Sequence, residues 1–367
     1  MRKLISRCLR MIVRFRPSLK RDIIRQNERF KRKIDRLAEK NRRLKDKVRK
    51  LSERMDRLSE RIRMVQHRSN DTRYLANVAL PREKLRESLI RWWYEKNPDI
   101  LLNLDRPQTF SEKIQLLKLS SDTPLLTRLV DKYAVRDWVS AKIGERYLVP
   151  LLGVWDCAED VDFDALPQRF VLKANHGSHK LRIVLDKDSL DIPQLRVEMA
   201  RWLALDFAYV MSPQLQYANV PRKIIAESYL VNSDGCLHDW KVWCFKGKAR
   251  YVEFMSRKDG QLRFVYMDRE WNPAPFEYRN VDDISMEPPP RPHNLDELLR
   301  LAETLADGFE FVRVDFYRLD DGAYLFGEMT FSPGGGNGRF DPPEWNSRIG
   351  AMFDYRPDNR MPGAATE

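Results

Sequence analysis

Cysteine is scarce. Four stand in 367 residues, Cys8, Cys157, Cys236 and Cys244, with no CxxC pair and no histidine nearby at metal-ligand spacing. That argues against a disulfide framework and against a zinc site, and makes a reducing cytoplasm the natural compartment. Histidine numbers only five, and His176 and His179 lack Cys or His partners at useful spacing, so no metal role is expected for them. No apolar run approaches the ~20 residues that a membrane-spanning helix needs. A signal-peptide core is also missing from the N-terminus as read, because Arg7, Arg10 and Arg14 interrupt the apolar stretch. Glycine and proline are absent between Pro17 and Pro81. That absence permits one long helix.

What is abundant is charge, and it is unevenly placed. The formal net charge is +12. Residues 1–70 hold 26 Lys and Arg against 8 Asp and Glu, whereas the remainder holds 40 against 46. Basicity therefore belongs to the N-terminal segment and says nothing about the substrate of the globular part. On a helix, Lys3, Arg7, Arg10 and Arg14 share one face and Leu4, Ile5, Cys8, Ile12 and Phe15 another. Residues 1–16 thus read either as a basic amphipathic segment for an anionic membrane surface or as a plain extension of the next helix.

From residue 18 to 67 a heptad runs through Ile23, Phe30, Leu37, Leu44, Leu51, Leu58 and Val65 at d, with Asn27, Ile34, Asn41, Val48, Met55 and Ile62 at a. This predicts a coiled coil, and the asparagines favour two in-register strands. Lys40 and Lys45, at g and e, would repel each other in a parallel homodimer, which leaves both self-pairing and an acidic partner open. A basic helix before a zipper invites comparison with DNA binders. The large acidic globular part and the absence of a base-reading pattern argue against nucleic acid.

The globular part begins near residue 71. Helices are expected over Pro81–Glu95, Phe110–Leu119 and Thr127–Ile143, and a buried strand over Tyr147–Trp155. Continued alternation of helices and strands makes the class α/β or α+β. Trp92, Trp93, Trp138 and Trp155 read as core.

Three stretches carry candidate chemistry. Phe170 to Lys173 reads as a strand leading into the loop Asn175-His176-Gly177-Ser178, whose backbone N–H groups suit a phosphate beside the point charge of Lys173; a solvated strand-end lysine is the plainer reading. Arg222 to Leu230 and Leu237 to Phe245 are strand-like, and Lys241 in an apolar run needs an anionic partner, either a ligand or Glu227 or Asp239. Finally, Val312 to Tyr317 and Tyr324 to Phe331 flank an Asp-Gly turn. Arg313 and Asp315, and likewise Glu328 and Thr330, are two residues apart and so share a face of their strand. If these strands pair, one face carries two carboxylates, a guanidinium and a hydroxyl. Hard oxygens of this kind suit Mg²⁺, although a wet edge hairpin would also carry them.

In this order the strand lysine and its loop, Ile225-Ala-Glu-x-Tyr-Leu, Lys241, Arg313-Val-Asp-Phe-Tyr and Gly327-Glu-x-Thr-Phe resemble the ATP-grasp superfamily, and more narrowly its TupA-like (teichuronopeptide-biosynthesis) branch. The resemblance extends from about Leu101 to Gly350 and includes Arg106-Pro-x-Thr-Phe-Ser-Glu-Lys, Leu129-Val-Asp-Lys-Tyr-x-Val-Arg and Tyr147-Leu-Val-Pro-Leu-Leu-Gly-Val-Trp. It implies an α+β fold whose two subdomains grip ATP, preceded here by the coiled-coil helix. It further implies that Lys173 and Lys241 hold the ATP phosphates under the loop of Asn175, Gly177 and Ser178. Glu227, Tyr229 and Leu230 would hold adenine or ribose, and Asp315, Glu328 and Thr330 would bind Mg²⁺. Arg313, with Lys241, would neutralise the transferred phosphoryl group. Two departures stand out: Thr330 where many members have asparagine, and His179 where a second loop glycine is expected.

The expected boundaries are 71–165 for the first part of the globular domain, 166–355 for the nucleotide and metal core, and 356–367 for a flexible tail. The implied reaction is ATP-dependent ligation of a carboxylate to an amine through an acyl-phosphate. Substrates would be sugar-linked components of a surface polysaccharide, modified in the cytoplasm, free or at the inner face of the membrane. Arg257 and Arg263 are acceptor-side candidates on charge alone. A sugar kinase would use the same nucleotide site. A glycosyltransferase fits two phosphate lysines less well, and a non-catalytic scaffold built on the coiled coil is the remaining class.

Overall fold

The computed structural model describes residues 17–258, 261–279 and 284–364; the segment 1–16, and the amphipathic helix expected there, lie outside the described residues. The chain divides into two compact units, Met1–Ser69 and Asn70–Glu367. Helix α1, Pro17–Val78, runs for 62 residues without a break. Proline suits its first turn, where the missing N–H has no partner to lose, and Pro81 follows shortly after its end.

In the second unit the next helices are α2 (Leu85–Lys96) and α3 (Phe110–Ser120). Thr109 opens α3 with a capping box: its side chain accepts from the Glu112 N–H while the Glu112 carboxylate accepts from the Thr109 N–H. The single helix expected over Thr127–Ile143 is in fact two, α4 (Pro124–Val130) and α5 (Val135–Ile143). Asp131 makes the break. Its Oδ1 accepts from the N–H groups of Tyr133 and Ala134, an Asx turn that competes with helical bonding.

Strands β1 (Leu151–Trp155), β2 (Phe170–Ala174), β3 (Leu181–Val184) and β4 (Ile224–Ser228) form an antiparallel sheet in the order β1-β4-β2-β3. The buried strand expected from Tyr147 starts only at Leu151, and it is half exposed because it sits at the sheet edge. One face, through Phe170, Leu172, Ala174, Ile224 and Ala226, packs on helix α6 (Ile192–Ala204). Val171, Lys173, Ile225 and Glu227 alternate to the other face.

The larger sheet takes β5 (His238–Phe245), β6 (Lys248–Lys258) and β7 (Gln261–Asp268). After the short β8 (Glu277–Arg279) it takes β9 (Ile284–Ser285), β10 (Phe311–Arg318) and β11 (Tyr324–Thr330), in the order β11-β10-β5-β6-β7-β9. Helix α7 (Leu295–Ala306) covers one face, joining Val242, Cys244, Val312, Val314 and Phe316 in the largest core. On the opposite face an aromatic core collects around Phe110 of α3, whose ring lies 5.2–6.1 Å from Trp243, Tyr278, Phe311, Phe340 and Phe353. Strand β12 (Arg339–Asp341) pairs with β8, and α8 (Trp345–Gly350) packs nearby.

Residues 356–364 are not a free tail. Asn359 is buried, donating to Phe311 O at 2.6 Å and accepting from the Phe311 N–H, while Arg356 pairs with the buried Glu310 at 3.0 Å. Those partners are unreadable in sequence because they lie far back along the chain, at the start of β10 and just before it. Cys157, Cys236 and Cys244 are free thiols, and no described helix is long and apolar enough to cross a membrane.

Because Phe110 is the shared neighbour of five aromatic rings and is wholly buried, Phe110→Ala should destabilise the protein by about 3–5 kcal/mol. Urea unfolding followed by tryptophan emission measures it; a loss below about 1 kcal/mol would show that the cluster closes over the gap.

Candidate functional site

The pairing register assembles the site. Asp315 stands opposite Glu328 on β11 and opposite Lys241 on β5; Lys241 in turn faces Glu253 on β6, and Glu253 faces Tyr266 on β7. Arg313 lies one step along, opposite Thr330 and Trp243. One face of the sheet thus carries a transverse row, Glu328–Asp315–Lys241–Glu253, bordered by the aromatic core. A bulge between Asp315 and Phe316 holds this register. Gly327 sits there; a Cβ on it would lie 3.1 Å from the Asp315 carbonyl oxygen.

Asp315 is the most enclosed member. Arg313 grips it bidentately, Nε to Oδ1 and Nη2 to Oδ2, both at 2.7 Å, and Lys241 Nζ donates to Oδ2 at 2.9 Å. Lys241 also reaches Asp239 at 3.4 Å. Burial works against the charge of Lys241, but Asp315 and Asp239 outweigh it and raise its pKa. Burial likewise opposes the charge of Arg313, and Asp315 and Glu253 raise its pKa.

Glu328 is the open end of the row, its side chain 35% exposed. Thr330 donates its hydroxyl to Oε1 at 2.7 Å, and Lys132 and Arg313 stand 3.4 and 3.6 Å away. Desolvation works to raise its pKa; Lys132, Arg313 and Lys241 overcome this and hold it at about 2. Thr330 Oγ1 also accepts from Arg313 at 3.3 Å, so its hydroxyl orients the carboxylate beside it.

The smaller sheet brings the second group. Lys173 donates to Glu227 at 2.5 Å, and Arg136 of α5 approaches the same carboxylate at 3.4 Å. Against the cost of burial, Tyr317, Glu227 and Glu328 raise the Lys173 pKa, so the two sheets present their charged faces to each other here. Tyr229 follows β4 with the Arg169 guanidinium 5.4 Å from its ring centre, and Leu230 is half-buried beside it.

The loop after β2 is fastened from beneath. Asn175 is fully buried: its Nδ2 donates to Asp131 (2.8 Å) and Pro221 O (2.7 Å), and its Oδ1 accepts from the Lys223 N–H (2.8 Å). Its side chain is spent on bracing the loop rather than facing the charged row. Gly177 has φ +76°, and a Cβ there would strike the Phe207 ring; Lys132 Nζ donates to its carbonyl at 2.7 Å. Ser178 and His179 form the exposed tip. His179, in the place where a second glycine is expected, adopts φ +60°, so a left-handed residue is required there and the imidazole carries a strain of about 1 kcal/mol that glycine would not.

Lys132 and Arg136 lie in the motif Leu129-Val-Asp-Lys-Tyr-x-Val-Arg, but helical periodicity runs through it and hides the break at Asp131 that brings them to the site; Glu253 gives no signal in the sequence. Glu253 sits in an apolar strand, where it accepts from Trp243 Nε1 at 3.1 Å. Arg263 alternates to the face opposite Tyr266, away from the row, and Arg257 lies exposed near the end of β6.

Among the described residues no group of three or more His, Cys, Asp or Glu side chains is placed to hold a metal. Asp315 and Glu328 together offer hard carboxylate oxygens, a part-set of the kind Mg²⁺ accepts when phosphate and water complete its shell. The protein cations crowding both carboxylates show that the pair calls for positive charge, so the residues fit such an ion.

The family described as TupA-like ATPgrasp matches residues 112–354. Solved structures similar to the chain include the D-alanine–D-alanine ligase of Bacillus anthracis complexed with ATP (16% identity, TM-score 0.35, covering 56% of this chain and 57% of that one). Others are an L-amino acid ligase of Bacillus licheniformis (14%, 0.33, 58% and 43%) and the ATP-grasp ligase PsnB with a precursor variant, Mg and ADP (13%, 0.30, 57% and 52%). The chain spans about half the length of these structures. No curated protein matches it in sequence.

His176 beneath the loop supplies a pH test. Lys180 Nζ lies 3.3 Å from its Nε2, the Leu205 carbonyl oxygen lies 3.1 Å from the same nitrogen, and its Nδ1 faces Asn175 Oδ1 at 3.3 Å. Burial, then Lys180, push its pKa down to about 4. Between that value and ~6.5 the unfolded chain binds a proton that the folded one does not, so stability is full above the window and falls as pH drops through it, by up to about 3 kcal/mol. Urea unfolding at pH 7.5 and 4.5 should show the fall, and His176→Gln should flatten it.

Proposed function

The chain belongs to the TupA-like ATP-grasp family, and from that premise we propose that it is an ATP-dependent carboxylate–amine ligase working through an acyl-phosphate. The observation that carries the reading is the juxtaposition of Asp315 and Glu328 with Lys241, Arg313 and Lys173. Two carboxylates for a divalent cation stand beside cations for a polyphosphate.

In this reading Asp315 and Glu328 would hold Mg²⁺, which when bound would screen the phosphate charge. Lys173 and Lys241 exchange Glu227 and Asp315 for phosphate oxygens, and Arg313 stays against the phosphoryl group in transfer. Thr330 keeps Glu328 oriented. Glu227 with the Tyr229–Leu230 backbone takes adenine or ribose, and the braced loop from Asn175 presents Gly177 and Ser178 over the phosphates, excluding water. The substrate carboxylate oxygen attacks the γ-phosphorus as its bond to ADP breaks. The amine nitrogen then attacks the acyl carbon, phosphate leaves, and the nitrogen loses a proton.

We place the substrates among sugar-linked components of a surface polysaccharide or its precursor, following the family resemblance. The site would work in the cytoplasm, with a coiled-coil partner on α1 and an anionic membrane surface for residues 1–16.

ADP release with candidate acids, with and without amines, tests the reaction. Turnover that needs an amine supports ligation, whereas a stable phosphorylated sugar as product would sink it in favour of a kinase. Glu328→Gln should lower turnover by at least a hundredfold with the thermal midpoint little changed. Calorimetry adds a second check: because an entering polyphosphate strands Asp315 and an entering cation strands Lys241, ATP should bind at least tenfold more tightly with Mg²⁺ than without.

A further inference from the structure

Helix α1 presents a seam that its own unit leaves open. Ile34, Leu37, Leu44 and Val48 are 63%, 59%, 52% and 65% exposed, far above what a single soluble helix normally offers in one stripe. Flanking this seam, every g position from 33 to 68 is basic: Lys33, Lys40, Lys47, Arg54, Arg61 and Arg68. The e positions are Lys31, Ala38, Lys45, Ser52, Ser59 and Gln66. No acid occupies e or g. All the acids from 28 to 60 fall at b or f, and the ion pairs Arg32–Glu28, Arg42–Glu39 and Arg43–Glu39 lie on that outer side.

Self-pairing leaves this charge unanswered in either direction. An antiparallel pair sets g against g, basic against basic along its length. A parallel pair sets each g against the e five residues on, which here means Ala38, Lys45, Ser52, Ser59 and Gln66. A seam flanked by one sign of charge is complemented only by a helix flanked by the other. We propose that residues 27–68 form a parallel coiled coil with a helix of another protein that carries Glu or Asp at its e positions, with polar a positions opposite Asn27 and Asn41. This goes beyond the ligase reading and does not depend on it.

The test uses the full chain with two synthetic heptad helices, alike except for Glu or Lys at every e position, each with Leu at d and Asn opposite residues 27 and 41. Sedimentation should show the chain alone as a monomer at micromolar concentration and a one-to-one complex with the Glu helix. That affinity should fall on the order of tenfold on raising salt from 0.05 to about 0.5 M. The K33E/K40E/K47E variant should lose the Glu helix by a similar factor and gain the Lys helix, a gain that misfolding cannot imitate. A self-associated chain that the Glu helix does not displace would overturn the proposal. So would indifference to the charge reversal, or binding to phosphatidylglycerol vesicles with none to either helix.

Discussion

The ion-pair knot of Arg313, Asp315 and Lys241 sets the terms for the globular unit. A carboxylate enclosed between strands is costly unless its charge and lone pairs are met. Here a bidentate guanidinium and an ammonium meet them. Each of those cations then needs its own environment: Asp239 provides it for Lys241 from the same strand, and Glu253, Glu328 and Thr330 provide it for Arg313 from other strands of the sheet. The pairings between strands, Lys241 with Asp315 and Arg313 with Glu253, Glu328 and Thr330, are lost if a strand slips by one residue, since its side chains would change face. The knot and the sheet register therefore specify each other. Helix α7 on one face and the Phe110 cluster on the other fix the sheet in place, so that the apolar cores stabilise and the polar row selects the register.

Much of this is legible in sequence. Spacing of two within Arg313/Asp315 and Glu328/Thr330 puts each pair on one face, and the Asp-Gly turn joins the strands. What spacing cannot reveal is which residue faces which, because the bulge at Gly327 shifts the count. Lys132 stands in a motif of the resemblance, yet its place beside Glu328 is hidden because helical periodicity runs through Asp131, and only the side-chain competition at that aspartate breaks the helix. Asn175 has the look of a ligand, yet its bonds run to Asp131, Pro221 and Lys223, residues whose nearness depends on tertiary structure. His179 stands out as a missing glycine, and its positive φ supplies the physical reason that glycine would be expected there.

The two units divide the protein's charge between them. The first concentrates positive charge along a helix whose apolar stripe is unmet. The second, with a slight acidic excess overall, gathers its cations around a few carboxylates. These are different uses of lysine and arginine: along α1 they flank an exposed apolar seam, while at the site they are locked in pairs at fixed distances.

That locking has a chemical consequence. An acyl-phosphate acylates any amine that offers it a lone pair, and a ligase that makes one does so within reach of its own lysines. Pairing with carboxylates at rest, which raises the pKa of Lys173 and Lys241, and with phosphate oxygens in the proposed reaction keeps both protonated and so without a lone pair to donate. The same contacts that order the site would spare the enzyme from becoming its own acceptor.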